Sequence, residues 1–205
     1  MNTEEKEEAA TLQILCAIEQ KSDVSQRHIA DQLGVALGLA NSYLRRCVRK
    51  GLIKVKQAPA NRYLYYLTPK GFAEKSRLTA QYLLVSFELY RKAGASFVDL
   101  FELCGRRNQH RLLLAGVSEL AEIASLRAHD YPVQIIGTYD PNGSLYRFLG
   151  LPVWHDLRRA EDFDACVLTD IMQPATCYAG LVAALGESRV LVPAVLAGAV
   201  VWRQR

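Results

Sequence analysis

Histidine and cysteine are scarce in this chain, with four and five in 205 residues. The cysteines, at 16, 47, 104, 166 and 177, are odd in number and form no C-x-x-C pair. That spacing argues against a zinc ribbon and a disulfide framework, and for reduced thiols in a cytoplasm. His28, His110, His129 and His155 stand alone in the sequence, without metal-ligand spacing. There is no G-x-S-x-G and no Walker pattern, so neither a nucleophile elbow nor a phosphate loop of those kinds is expected. No catalytic constellation and no metal site emerge, and the chain reads as a non-enzyme. Long hydrophobic runs are missing too. The longest, "VLVPAVLAGAVVW", is too short for a membrane span and contains a proline. The opening "MNTEEKEEAA" lacks the basic-then-apolar pattern of a secretory signal. The expectation is a cytoplasmic protein with no membrane partner.

What is present is an ordinary globular composition, half apolar and 22% charged, with an uneven distribution of charge. Residues 1–107 carry 17 basic and 11 acidic side chains; the remainder carries 8 and 10. Over residues 25–77 the ratio is 11 basic to 2 acidic. A basic block beside a neutral-to-acidic half points to a polyanion-binding module joined to something else.

Local patterns divide the chain in the same way. A first helix is expected over 4–20, with Ala9, Leu12, Leu15, Cys16 and Ile18 inward. Ser25 is a natural N-cap for a short helix whose inner face is Ile29, Ala30 and Leu33, and Gly34 ends it in a tight turn. A third helix over 37–50 turns Ala40, Leu44, Cys47 and Val48 inward. "LIKVKQ" and "RYLYYLT" flank "APAN" as a β-hairpin. Thr68 and Pro69 restart a helix that runs to about residue 92. Gly94 is expected to interrupt it before a further apolar turn or two at Phe97, Leu100, Phe101 and Cys104.

Helix, glycine turn, helix and hairpin, in that order, describe a winged helix-turn-helix. The third helix then presents Leu37, Gly38, Asn41, Ser42, Arg45 and Arg46 outward, where a helix in the major groove reads base edges. Asn41 is matched to adenine, and Arg45 and Arg46 to guanine or phosphate. Lys54, Lys56, Asn61 and Arg62 on the hairpin are placed for phosphate or the minor groove. Ser25, Gln26 and Arg27 lie at a helix N-terminus, where backbone N–H groups favour phosphate. The partner implied is double-stranded DNA.

The stretches "LGVALGLANSYLRRCVRKGLIKV" and "YLYYLTPKGFAEKSRLTAQYL" resemble the MarR-type winged-helix regulators associated with exopolysaccharide gene clusters. The resemblance covers about residues 12–90 and implies transcriptional control and dimerisation. It departs from the pattern at Leu39 and Ala40, so base contacts do not transfer. The helix after Thr68 is apolar on more than one face, at Leu78, Tyr82, Val85 and Leu89 and again at Leu83, Phe87 and Tyr90. Such a helix needs partners on both sides, either a second subunit in a homodimer or the rest of the chain.

From residue 111 the rhythm changes to strand-like runs, "RLLLAG", "VQIIGTYD", "FLGLPVW", "ACVLTD" and "RVLVPAV", separated by helical or loop segments. The expected fold is α/β overall: a winged helix-turn-helix over 1–69, a helical linker and dimerisation segment over 70–108, and a Rossmann-like parallel sheet flanked by helices over 109–205. The C-terminal pattern resembles the nucleotide-sugar-binding domain of bacterial sugar O-acyltransferases and the Rossmann domain of winged-helix redox repressors. A dinucleotide fingerprint needs G-x-G-x-x-G, and the chain has G-V-S-E-L-A. Ser118 narrows the approach of a pyrophosphate, and Glu119 sets a negative charge where phosphate would bind. Gly116, Val117, Ser118, Asp140, Thr169 and Asp170 are expected at the strand C-termini as a candidate ligand crevice. A nucleotide sugar or other nucleotide-like effector is the candidate ligand. The alternatives are an assembly domain with no ligand and an enzyme of nucleotide-sugar metabolism that carries a winged helix.

Overall fold

The computed structural model describes residues 3–58 and 62–201. The chain divides into two compact units, Met1–Ser86 and Phe87–Arg205. In the first, three helices, α1 (Thr3–Gln20), α2 (Gln26–Leu33) and α3 (Leu37–Arg49), precede the antiparallel strands β1 (Ile53–Ala58) and β2 (Arg62–Leu67). Their core is Ile14, Leu15, Ile18, Val24, Ile29, Ala30, Ala40, Leu44, Cys47, Leu52, Ile53 and Tyr65. The buried stripe of α1 is rotated from the expected one. Ala10, Ile14, Leu15, Ala17 and Ile18 are buried, Ala9 is exposed, and Leu12 and Cys16 are half-buried. The bulky i, i+4 pair Ile14 and Ile18 sets that face. In α3, Ala40, Leu44 and Cys47 are buried as expected, but Val48 is 37% exposed.

The ends of these helices follow from their sequence. The Ser25 hydroxyl accepts from the His28 N–H at 3.1 Å, and Gly34, at φ +62°, takes the left-handed conformation that closes α2. The hairpin register sets Val55 opposite Tyr65 and Lys54 opposite Tyr66. Asn61, expected on this hairpin, lies outside the described residues, as does the side chain of Arg62.

Helix α4 runs unbroken from Pro69 to Arg106. The expected interruption at Gly94 is absent. Gly94 is buried, and a Cβ there would stand 2.8 Å from the Arg127 Nε. The glycine makes room for a guanidinium. Phe97, Leu100, Phe101 and Cys104, all buried, hold the helix together beyond it. The division between units falls within α4, ahead of the 104–110 stretch that joins α4 to the first strand of the sheet.

The second unit is a six-stranded sheet. Its elements are β3 (Arg111–Ala115), α5 (Glu119–Ala128), β4 (Gln134–Tyr139), β5 (Arg147–Phe148), β6 (Leu151–Trp154), β7 (Ala165–Leu168), α6 (Pro174–Leu185), β8 (Val190–Leu191) and α7 (Ala194–Val201). The strand order is β5-β6-β4-β3-β7-β8, parallel except for β5. The "FLGLPVW" stretch, expected as one strand, forms the β5–β6 hairpin instead. Its turn sets Leu149 at φ +51° and Gly150 at +78°. The five parallel strands, counted in chain order, lie as 3-2-1-4-5, the doubly wound order, with its reversal between β3 and β7. Residues 112–115 and 165–168 are buried and apolar, as central strands covered on both faces must be. No helix among the described residues is long and apolar enough to cross a membrane.

The start of α4 is tied to the end of α3. The Thr68 hydroxyl donates to the Gly51 carbonyl at 2.6 Å and accepts from the Gly71 N–H at 3.0 Å. Thr68→Val keeps the shape and removes both bonds. It is expected to destabilise the N-terminal unit by about 1–2 kcal/mol, read as a lower urea midpoint with an unchanged slope.

Candidate nucleic-acid interface and ligand crevice

The rotation of α3 sorts its polar side chains. With Ala40, Leu44 and Cys47 buried, the opposite stripe is Gly38, Ser42, Arg45 and Arg49, all exposed. Arg45 and Arg49 carry no ion pair among the described residues. Arg46 does not share their situation: its guanidinium pairs with Glu7 of α1. It also lines a small polar pocket with Thr11, Lys50, Glu74 and Arg77. Arg49, absent from the outer face expected from sequence, joins Arg45 there. The helical repeat sets Arg49 four residues beyond Arg45, which is the signal that identifies it.

Between α3 and the hairpin lies an open groove of about 860 Å³. Asn41, Arg45, Val48 and Arg49 line it from the helix, Val55, Tyr63 and Tyr65 from the hairpin, and Gln26 from α2. The Gln26 amide donates to the Tyr65 hydroxyl at 3.1 Å, fixing the groove floor. The Asn41 Oδ1 is buried with no hydrogen-bond partner. Lys54 and Lys56 are exposed but alternate with Val55, so they lie on the hairpin face away from this groove. Ser25 caps α2, and Arg27 beside it is exposed. Leu37 is 42% exposed at the first turn of α3.

In the second unit, the loops after β3, β4 and β7 and one side of α6 enclose a crevice of about 410 Å³. It stands at the C-terminal ends of the strands, at the reversal of strand order, where open α/β sheets bind ligands. Gly116, Val117, Asp140 and Asp170 line it. Ser118 and Thr169, grouped with them by sequence, do not. The Ser118 hydroxyl donates to the Thr169 carbonyl at 2.6 Å and accepts from the Ala121 N–H at 3.2 Å, capping α5. Thr169 is fully buried, and its hydroxyl bonds the carbonyls of Ala115 and Gly116. Both hydroxyls are spent stitching the β3 and β7 loops together.

Gly116 belongs to the same stitching. It sits at φ +105°, and a Cβ would stand 2.6 Å from the Asp170 backbone. The crossing of two loops is enough to require glycine there. Asp140 is held at its backbone, whose carbonyl accepts from the His155 Nδ1–H at 2.6 Å. Its Oδ1 accepts from the Asn142 N–H at 3.3 Å. The Asp170 Oδ1 accepts the N–H groups of Met172 and Gln173 at 2.8 and 2.9 Å. Among the described residues, no lysine, arginine or histidine lines the crevice. It is therefore an acidic, partly apolar space, suited to hydroxyl or amine donors and hostile to phosphate. No cluster of histidine, cysteine or carboxylate side chains among the described residues has metal-holding geometry.

Cys177 also faces the crevice. Burial, then the charges of Asp170 and Asp140, push its thiol up to about 12. A thiol raised in this way stays protonated and inert at neutral pH. Its alkylation by iodoacetamide is expected to speed up about tenfold per pH unit from pH 8 to pH 11, without the plateau near pH 9 of an ordinary thiol. Mass-spectrometric site mapping of the pulse-labelled chain reads this rate directly.

Residues 8–54 match the family model described as winged helix-turn-helix DNA-binding. A comparison with curated proteins gives no match. Among solved structures, the chain is similar to MepR, a transcription regulator of the Staphylococcus aureus multidrug efflux pump MepA. Identity is 26% over 40% of this chain and 61% of that one, with a TM-score of 0.35. A S. aureus MepR–DNA complex gives 24% identity over 43% and 62%, with a TM-score of 0.36. An O-methyltransferase from neocarzinostatin biosynthesis, NcsB1, solved with S-adenosyl-L-homocysteine and 1,4-dihydroxy-2-naphthoic acid, gives 15% identity over 92% and 62%, with a TM-score of 0.30. The chain thus spans less than two thirds of each of these proteins. Likenesses of this strength carry no activity from one protein to another.

Proposed function

We propose that this chain is a transcription regulator that binds double-stranded DNA as a homodimer and answers to a small polar ligand held in the C-terminal unit. The N-terminal unit is a winged helix-turn-helix of the DNA-binding kind. The observation that carries the reading is the stripe on α3: two arginines without acidic partners among the described residues, on an exposed face beside a hairpin groove. The genes under control are those for surface polysaccharide, a proposal that rests on the resemblance of residues 12–90 alone.

Dimerisation is supported by α4. Tyr82, Leu83, Leu84, Val85, Phe87, Leu89 and Tyr90 are each between 38% and 66% exposed. An apolar surface of this extent on one helix is the mark of an interaction site. A second copy fits it, because two winged helices related by a two-fold axis match symmetric half-sites. The crevice supports the sensing part. Asp140 is offered to a diol, and the absence of basic side chains favours a hydroxyl-rich group over a phosphate. A nucleotide sugar would enter sugar first, its phosphates outside. The ligand acts only through different affinities for the DNA-bound and free states. The Cys177 thiol beside Asp140 and Asp170 is held protonated, which favours sensing over turnover; hydrolysis or transfer by the purified chain would overturn this.

Arg45→Ala and Arg49→Ala are each expected to lower the slope of log affinity against log salt by about one unit, while Arg46→Ala leaves the slope unchanged. Fluorescence anisotropy on a fixed duplex between 50 and 300 mM salt measures this. Equal slopes for all three variants and the parent chain would remove α3 from the DNA surface.

Leu83→Glu sets a charge into the proposed subunit contact without a partner for it. Sedimentation equilibrium is expected to show a dimer for the parent chain at micromolar concentration and a monomer for the variant. A monomeric parent chain would sink the dimer.

A further inference from the structure

Glycine is the least favourable residue in a helix apart from proline, so one inside a helix calls for a cause. For Gly94 the cause is the Arg127 guanidinium. Gly38 has none among the described residues. It lies in α3 with no positive φ, and a Cβ built on it would meet nothing within 4 Å. Gly180 and Gly198 share that open space, but Gly38 alone stands on the arginine stripe of α3.

The stripe also tapers. Along it, at i, i+4, i+7 and i+11, come Gly38, Ser42, Arg45 and Arg49. Side-chain length rises from nothing to the longest cation available. A helix with this profile fits a surface when its N-terminal end approaches by its backbone and its C-terminal end is held off by two guanidinium groups. In the major groove that means base edges at the N-terminal turn and phosphates further along.

Two side chains flank Gly38 on the groove side. Asn41 lines the groove, and its Oδ1 has no partner, so no internal bond fixes which way the amide points. The Oδ1 is buried in the free chain, so the amide turns outward to meet a base; no internal hydrogen bond among the described residues opposes that turn, and once turned it offers donor and acceptor together, the pattern that adenine N7 and N6 require. One turn earlier on the same side, at i−4, Leu37 is 42% exposed and has only carbon to offer. Carbon meets one feature of a major-groove base edge, the thymine methyl group.

We infer that Gly38 is the point where the α3 backbone comes closest to the DNA, and that Asn41 with Leu37 reads an A·T pair. This rests on the DNA-binding reading of α3 and adds the base class and the point of closest approach.

The test starts with selection of duplexes from a random pool by the full chain and by its Asn41→Ala variant. The parent chain is expected to enrich a motif with one adenine position that the variant no longer requires. At that position, replacing adenine by purine, which lacks the N6 amino group, should weaken the parent chain about 5- to 150-fold and leave the variant unchanged. Replacing the paired thymine by uracil should cost the parent chain about fourfold and Leu37→Ala nothing. Gly38→Ala should melt at the same temperature or up to about 4 °C higher, yet bind the selected duplex at least about fivefold more weakly. Stability and binding moving in opposite directions is a result that a structural role for Gly38 would not produce. An identical motif for Asn41→Ala, or undiminished binding by Gly38→Ala, overturns the inference while the DNA reading stands. No enrichment over the starting pool overturns both.

Discussion

Burial of Ala40, Leu44 and Cys47 fixes the rotation of α3 about its own axis, and the functional reading of the N-terminal unit depends on that rotation. The three residues pack into the core shared with α1 and α2, where Ala30 is small enough to let α2 and α3 approach. A shift of one residue, about 100°, would bury part of the arginine stripe and expose the core. The hydrophobic cost of such a shift is several side chains at about 1.5–3 kcal/mol each, which holds the helix in place. Once the rotation is set, Arg46 falls toward Glu7 while Arg45 and Arg49 carry no ion pair among the described residues. Three arginines within five residues therefore have different surroundings.

The second unit depends on a different constraint, the close crossing of the loops after β3 and β7. Gly116 leaves room for the Asp170 backbone, Ser118 bonds the Thr169 carbonyl, and Thr169 bonds back to Ala115 and Gly116. A strand–glycine–helix joint that invites comparison with a phosphate loop is here closed on itself. The charged groups lining the crevice, among the described residues, are the carboxylates of Asp140 and Asp170, and they give it its sign. The two units thus offer opposite charges, free guanidinium groups on α3 and free carboxylate oxygens in the crevice. The positive surface of α3 suits an anionic polymer, and the negative crevice repels one.

Much of this is legible from sequence because local physics dominates it. Ser25 and Gly34 mark the ends of α2 by capping, and Thr68 with Pro69 marks the start of α4. The strand runs of the C-terminal half are apolar throughout because both faces of a parallel sheet are covered. The reading fails where a residue's neighbour is remote in sequence. Gly94 looks like a helix breaker until Arg127 is seen beside it. The stripe of α1 turns by a residue because Ile14 and Ile18, not Ala9, meet the core.

The order of elements, the helix ends, the basic block and the doubly wound sheet were determined by sequence, since propensity, capping and hydrophobic period act over a few residues. Which polar groups remain available was decided only by tertiary structure. Ser118 and Thr169 are the residue types a ligand site needs, yet partners some fifty residues away consume their hydroxyls. Arg46 and Arg49 are the same residue type in the same helix, and only the position of α1 separates a paired cation from a free one. A hydrogen bond or an ion pair is made once, and which partner takes it is a matter of three-dimensional proximity that no local pattern encodes.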